Sequence, residues 1–117
     1  MDRLTAERIA ENDARFREAN ERIREVAVEH GIETVPFICE CADPECVAIV
    51  RLRLDDEQVR SNPRWFVNVA GHDRAAGSAA RVAATYDGWI VAEKVGHAGR
   101  VVEELDERGA VGAEGER

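Results

Sequence analysis

All three cysteines of this chain lie within eight residues, in the sequence C-E-C-A-D-P-E-C that runs from Cys39 to Cys46. One histidine, His72, follows a glycine later in the chain. Three thiolates and one imidazole are the Cys3His set that binds zinc tetrahedrally in structural sites. The sequence therefore predicts a Zn²⁺ site made of Cys39, Cys41, Cys46 and His72.

The residues around the cysteines predict a β-hairpin with the thiols at its tip. Segments 35–41 and 46–54 are rich in strand-forming residues, and Asp43-Pro44 between them supplies the turn. Side chains two positions apart in a strand share a face, so Cys39 and Cys41 converge while Glu40 points to the other side. We therefore do not expect Glu40 to act as a base on metal-bound water.

Other interpretations of the cysteines and of the fourth ligand stay open. The cysteines are also compatible with small buried hydrophobic side chains, or with a redox pair. His97, in a second Gly-His pair, is the rival of His72, whereas His30 ends a predicted helix and suits its C-terminal dipole. We prefer His72 because it follows a predicted strand over 65–70 and because Gly71 permits a close backbone approach.

The first thirty residues predict a long helix. Neither Gly nor Pro interrupts residues 2–30, and Gly31 stands where a helix C-cap is expected. An apolar seam at heptad spacing is made of Ile9, Phe16, Ile23 and Val26. This seam either packs on the chain's own sheet or carries a homodimer.

The remainder of the chain predicts a third strand at 65–70, a loop at 73–80 and a second hairpin. Asp87-Gly88 between Tyr86 and Trp89 is a strong two-residue hairpin signal, although a helix over 81–87 stays open. In that hairpin Tyr86 lies opposite Trp89, and Ala84 opposite Val91. A short helix is expected over 100–108, and disorder after it.

These elements predict an α+β fold in which a long N-terminal helix packs on a small antiparallel sheet, stapled by zinc. We divide the chain into an N-terminal amphipathic helix over 1–31, a zinc-binding antiparallel β domain over 32–96, and an acidic, partly disordered tail over 97–117. A metal suits this composition because the core has few large side chains, with three Phe, two Trp and one Tyr.

Charge and hydropathy limit the partners and the location. The net charge is -8, with 24 acidic and 16 basic residues, which repels nucleic-acid phosphates, so we expect no nucleic-acid partner. No apolar run approaches the roughly 20 residues of a membrane span, and the first eight residues are too charged for a signal peptide. We therefore expect a cytoplasmic protein without a membrane partner, in which metal rather than disulfides holds the thiols.

Four motifs along the chain can be compared with known families: F-I-C-E-C-A-D-P-E-C, V-R-x-x-P-x-x-F-V over 59–67, Gly71-His72 and W-I-V-A-E-K over 89–94. Together they resemble a family of short, uncharacterised actinobacterial proteins with a long N-terminal helix. The resemblance covers about residues 8–94 and is most specific in the cysteine motif. It implies one ligand set, Cys39, Cys41, Cys46 and His72, and it implies no activity.

Taken together, these features favour a small cytoplasmic structural-zinc protein that serves as a protein interaction or regulatory module. An enzyme is disfavoured because a fourth protein ligand fills the position that a catalytic metal keeps open. The sequence also contains no glycine-rich phosphate loop and no His-Glu-x-x-His motif. The alternative is a thiol-based redox or metal-responsive sensor that uses the same cysteines.

Overall fold

The computed structural model describes residues 1–54 and 56–106, and over these residues the predicted α+β class is confirmed. The elements in chain order are helix α1 (Arg3–Glu29), strands β1 (Thr34–Ile38) and β2 (Ile49–Arg53), a 3₁₀ turn (Glu57–Arg60), strand β3 (Trp65–Val69), a 3₁₀ segment (His72–Ala79), strands β4 (Ala80–Thr85) and β5 (Trp89–Lys94), and helix α2 (Gly96–Glu104). The predicted disorder beyond residue 108 lies outside the described residues.

Helix α1 forms as the uninterrupted sequence predicts. The Asp2 carboxylate caps its first turn by accepting a hydrogen bond of 2.8 Å from the Thr5 N–H. At the other end Gly31 takes a positive φ of 66°, a left-handed conformation that glycine adopts without strain. Both ends are therefore set by local chemistry that can be read from the sequence.

The face that α1 buries differs from the predicted seam. It consists of small and polar residues: Ala6, Ala10, Asp13, Ala14, Arg17, Asn20 and Ala27. Ile9, Phe16 and Ile23 are only half-buried, and Val26 is 51% exposed. The seam therefore lies at the edge of the buried face, which packs mainly against α2 and, to a lesser extent, against β1.

The strands form two antiparallel sheets rather than the single predicted one. β1 pairs with β2, and β5 lies between β3 and β4. The backbone of residues 39–40 joins the two sheets: the Cys39 N–H donates to Ala48 O at 2.9 Å, and the Glu40 N–H donates to Val67 O at 2.8 Å. The backbone changes its hydrogen-bonding partner here, from the β1–β2 hairpin to β3. β1 therefore ends at Ile38, whereas the sequence predicted a strand that continues to Cys41.

The second hairpin confirms its predicted register. The Tyr86 N–H donates to Trp89 O at 2.8 Å, the two rings stack with centroids 4.2 Å apart, and Ala84 pairs with Val91. The alternative helix over 81–87 is wrong, since β4 occupies that segment. A register shift around Ala83 introduces a bulge, which bends this exposed edge strand.

Two predictions about the connecting segments need correction. Residues 73–80, predicted as a loop, are largely a 3₁₀ segment that breaks at Gly77, where φ is 54°. The C-terminal helix, predicted over 100–108, begins four residues earlier at Gly96 and ends at Glu104. Its Val102 and Ala98 are fully buried, so packing against α1 fixes its position rather than a local start signal.

Buried apolar residues form two clusters. We call the first the hairpin core: Ala27, Val35, Phe37, Cys39, Cys41, Val50, Leu52 and Val67. We call the second the two-helix core: Ala6, Ala10, Phe66, Ala76, Ala79, Ala98 and Val102. The thiol segment, which we define as residues 39–46, lies on the first cluster, where the two sheets meet.

A buried ion pair lies beside the two-helix core. Lys94 Nζ is 2.6 Å from Asp13 Oδ2, and both side chains are at most 1% exposed. The Phe66 ring contacts two cations, with Lys94 Nζ and Arg17 Cζ each 4.8 Å from its centroid. Arg17 also donates to Pro63 O at 2.6 Å and to Val102 O at 2.9 Å. These contacts tie α1 to β5 and α2.

Candidate metal centre

The structure brings the four predicted ligands together. The donor atoms of Cys39, Cys41, Cys46 and His72 all lie within 4.8 Å of one another, so that the group could hold a metal ion. His72 Nδ1 is 3.5 Å from Cys39 Sγ and 3.6 Å from Cys46 Sγ. The imidazole therefore approaches the thiols through Nδ1.

These separations can be compared with what a zinc ion requires. Zn–S bonds of about 2.3 Å and Zn–N bonds of about 2.0–2.1 Å in a tetrahedron place sulfur about 3.6 Å from nitrogen. The two measured sulfur–nitrogen separations, 3.5 and 3.6 Å, agree with that edge. Three soft sulfur donors and one imidazole favour zinc over magnesium or calcium, which take oxygen ligands. The donor set fits zinc in its chemistry, and these two separations fit it in spacing.

A turn returns Cys46 to the other two thiols. Asp43 stabilises it twice: its Oδ1 accepts the Glu45 N–H at 2.9 Å, and its backbone O accepts the Cys46 N–H at 3.1 Å. Pro44 fits this turn because its ring fixes φ. The predicted Asp-Pro turn therefore positions the third thiol, although the strands on either side are shorter than predicted.

His72 enters the site through a left-handed turn after β3. Gly71 has a φ of 90°, which reverses the chain between Val69 and His72. A Cβ atom at Gly71 would meet no atom within 4 Å, so the predicted reason for this glycine, close backbone approach, is wrong. Its role is conformational, since a side chain at this φ is strained.

Burial governs the acidity of the two innermost thiols. It raises the pKa of Cys39 and of Cys41, because a thiolate loses its hydration there. The Val69 N–H, 3.3 Å from Cys39 Sγ, opposes this shift of the Cys39 pKa by donating to the sulfur. A bound Zn²⁺ would supply the positive charge that favours the thiolates, so metal binding and deprotonation are coupled at this site.

Glu40, which lies between the ligands Cys39 and Cys41, anchors the thiol segment to β3 and to α1. Glu40 is buried, and its carboxylate accepts hydrogen bonds from the Val67 N–H and from Asn20 Nδ2, each at 2.9 Å. Its side chain thus engages β3 and α1 rather than the metal site, the predicted outcome, although residues 39–41 lie beyond the end of β1, so strand alternation is not the reason. Glu40 Oε1 accepts the Val67 N–H of β3, a hydrogen bond that a backbone carbonyl of a neighbouring strand would otherwise accept.

Two asparagines of α1 also position the ligands, and the sequence interpretation missed them. Asn20 pairs with both backbone groups of Ile38, donating to its O at 2.8 Å and accepting from its N–H at 2.9 Å. Asn12 donates to Cys41 O at 3.0 Å. A signal was present, because Asn12 interrupts the apolar seam, and a buried amide needs partners beyond its own helix.

The structure places the other two histidines away from the thiols. His97 Nε2 lies 2.9 Å from Glu7 Oε1, where it connects α2 to α1. His30 is exposed at the C-terminal end of α1, where its backbone N–H continues the helix by donating to Val26 O. Among the residues described, His72 is thus the histidine whose ring faces the cysteines.

Comparisons with known proteins give no further identification. A scan against protein-family models found no matching family, and searches of curated proteins and of solved structures found no match. None of the described helices is long and apolar enough to cross a membrane.

Proposed function

We propose that this chain is a small cytoplasmic zinc protein in which the metal is structural and which acts as a protein interaction or regulatory module without enzymatic activity. The observation that carries the proposal is the convergence of three sulfurs and one nitrogen within 4.8 Å of one another, with two sulfur–nitrogen separations that match a zinc tetrahedron. Four protein ligands would complete the zinc shell and leave no position for a substrate.

The position of the site supports a structural role for the metal. Its three cysteines come from the chain between β1 and β2, and its histidine comes from the turn after β3. A bound ion would therefore fix the β1–β2 hairpin to the three-stranded sheet, in addition to the Glu40 contacts. The hairpin alone is a two-stranded sheet, an arrangement that is marginally stable without such support.

A second copy of the chain is the partner that we favour for the interaction role. A groove between α1 and β1 is lined by mostly apolar residues: Arg22, Ile23, Val26, Ala27, Ile32, Val35 and Pro36. Two residues of the predicted seam, Ile23 and Val26, lie in it. A net charge of -8 argues against nucleic acid as the partner.

The charges beside this groove are self-complementary. Arg22 and Glu29 lie on either side of Val26, one heptad apart. In an antiparallel pair of α1 helices related by a two-fold axis near Val26, each Arg22 faces Glu29 of the other copy. The same ion pair then forms twice, while Val26 and Ile23 bury their exposed apolar surface between the helices.

Metal analysis and X-ray absorption test the zinc assignment directly. Protein purified without added metal is expected to contain one zinc per chain, with three sulfurs at about 2.3 Å and one nitrogen at about 2.0–2.1 Å. A shell made of oxygen and nitrogen alone, or protein that folds without binding zinc, would contradict the proposal.

A matched pair of histidine variants tests the fourth ligand. His72→Ala removes the nitrogen donor, so we expect zinc affinity to fall by at least about 100-fold, the upper range for losing even a supporting residue. His97→Ala removes only the contact to Glu7 and is expected to leave zinc affinity unchanged. Competition with a chromophoric chelator measures both, and the reverse order would show that the ligand was assigned wrongly.

A further inference from the structure

The three thiols of the metal centre differ in their exposure to solvent. Cys39 and Cys41 are 1% and 0% exposed, whereas Cys46 is only half-buried. Cys46 follows the exposed residues 43–45 of the turn and precedes Val47, whose exposed fraction is 87%. Cys46 is therefore the most accessible of the three cysteines to a small reagent in solution.

We propose that hydrogen peroxide oxidises Cys46, that Cys46 then forms a disulfide with Cys41, and that the centre thereby releases its zinc. The inference rests on the proposed zinc site and adds a regulatory activity to it. Zinc-bound sulfur is thiolate in character, the form that reacts with peroxides, and reactivity among thiolates follows their exposure.

The reaction balances in two steps. The Cys46 thiolate attacks one peroxide oxygen, a sulfur–oxygen bond forms, the oxygen–oxygen bond breaks, and the leaving hydroxide takes a proton to become water. The Cys41 thiolate then attacks the sulfur of the resulting sulfenic acid, so that the disulfide forms and a second hydroxide leaves as water. Two thiolates lose two electrons in total, and one peroxide is reduced to two waters.

Cys41 suits the second step better than Cys39. Cys41 and Cys46 flank the same turn, so a bond between them closes a short loop and leaves both sheets in place. Cys39 Sγ instead accepts the Val69 N–H, and the Cys39 N–H is bonded to Ala48 O. Moving Cys39 would therefore break its hydrogen bonds to both sheets, which residues 39–40 join.

Loss of two sulfurs leaves the metal with Cys39 and His72 as its protein ligands. Two donors do not complete the four-coordinate shell that structural zinc requires, so the ion dissociates. The joining segment then keeps its hydrogen bonds through Glu40 and Asn20 but loses the ligand link to the turn after β3. Oxidation would thus loosen the hairpin against the three-stranded sheet.

Peroxide titration of the zinc-loaded full chain tests this inference. Zinc release is followed with a chromophoric chelator, and tandem mass spectrometry after alkylation under denaturing conditions locates the disulfide. We expect one zinc released per chain, one Cys41–Cys46 disulfide, Cys39 alkylated, and recovery of zinc binding after reduction. Zinc content before peroxide tests the proposed function separately.

The variant Cys46→His supplies a control that keeps four ligands. Zinc binds Cys2His2 sets as well as Cys3His sets, so the variant is expected to fold with zinc but to release it at least about tenfold more slowly, since the exposed thiolate is gone. Equal release rates, zinc retained by the oxidised wild type, or a disulfide that pairs Cys39 with either other cysteine would overturn the inference.

Discussion

The hairpin core includes two of the predicted zinc ligands, whereas the two-helix core is built from five alanines around Phe66 and Val102. In the first cluster the polar atoms that matter are thiols, which together with His72 could hold a metal ion from solution. In the second the cation is part of the chain, because Lys94 faces Asp13 and the Phe66 ring.

This difference shows two ways in which the fold compensates for its small number of large apolar side chains. With few large side chains available, the two-helix core adds electrostatic contacts to a modest apolar cluster, and the hairpin core would add coordinate bonds on binding the proposed zinc. The two-helix core has its charged partners in place as soon as α1 meets β5. If the proposed zinc is bound, the hairpin core would depend on metal for part of its stability, so metal supply is expected to act on one half of the molecule more than on the other.

Removal of zinc should have the largest effect and should separate the two regions. Structural zinc contributes about 10–16 kcal/mol of apparent free energy in isolated zinc-finger peptides, and we expect a smaller but dominant loss here because Glu40 and Asn20 remain. Hydrogen exchange of chelated protein should accelerate in β1, β2 and the thiol segment and change little in α2 and β5. Uniform acceleration in both regions would show that the cores unfold as one unit.

The substitution Lys94→Met should destabilise the two-helix core by about 3–5 kcal/mol at neutral pH, because it leaves Asp13 buried without its counter-charge. Urea denaturation of the zinc-loaded protein measures this loss. The double variant Asp13→Leu/Lys94→Met is expected to recover most of it. Zinc affinity should be unchanged in both, and a large change in it would show that the ion pair also supports the metal site.

The same variant makes a prediction about pH. Burial raises the pKa of Asp13, and the Lys94 ammonium opposes that shift in the wild-type protein. Without Lys94 the folded-state pKa is higher still, so folding takes up a proton and stability increases as pH falls through it toward the unfolded value of about 3.9. Urea midpoints at pH 7 and pH 5 should therefore lie closer to wild type at pH 5, and an equal deficit at both would exclude a charged Asp13 as the cause.

The smallest expected effect concerns the groove beside the hairpin core. If α1 forms the antiparallel dimer, Val26→Glu should raise the dimer dissociation constant about tenfold or more, since it places a charge at the two-fold axis. Val28→Glu is the matched control, because Val28 is 53% exposed but lies on another face of the helix. Sedimentation at micromolar concentration measures the dimer dissociation constant of the wild type and of both variants. A monomeric wild type would exclude a second copy of the chain as the partner.

Local signals in the sequence predicted much of the fold. Gly31, the Asp43-Pro44 turn and the Asp87-Gly88 hairpin each act within a few residues, and the structure shows each where it was expected. The same local reasoning proposed the four side chains that converge in the candidate site.

The features that were missed depend on contacts between distant segments. Asp13 and Lys94 are 81 positions apart, and neither position is unusual for a solvent-exposed residue until the fold brings them together. The early end of β1 has a similar origin, since Glu40 leaves the hairpin to bond β3. Helical periodicity also misled, because α1 buries Asn20 and Arg17 and leaves Val26 exposed.

The burial of Lys94 has a practical consequence for chemical labelling. Lys94 is the only lysine in the sequence, so the folded protein presents no lysine amine to solvent. Amine-directed crosslinking, surface immobilisation or acylation will therefore not proceed at a lysine while the two-helix core is closed. The rate of Lys94 acylation, followed by mass spectrometry, instead reports how often that core opens. A single buried side chain thus gives a direct measure of opening in this region.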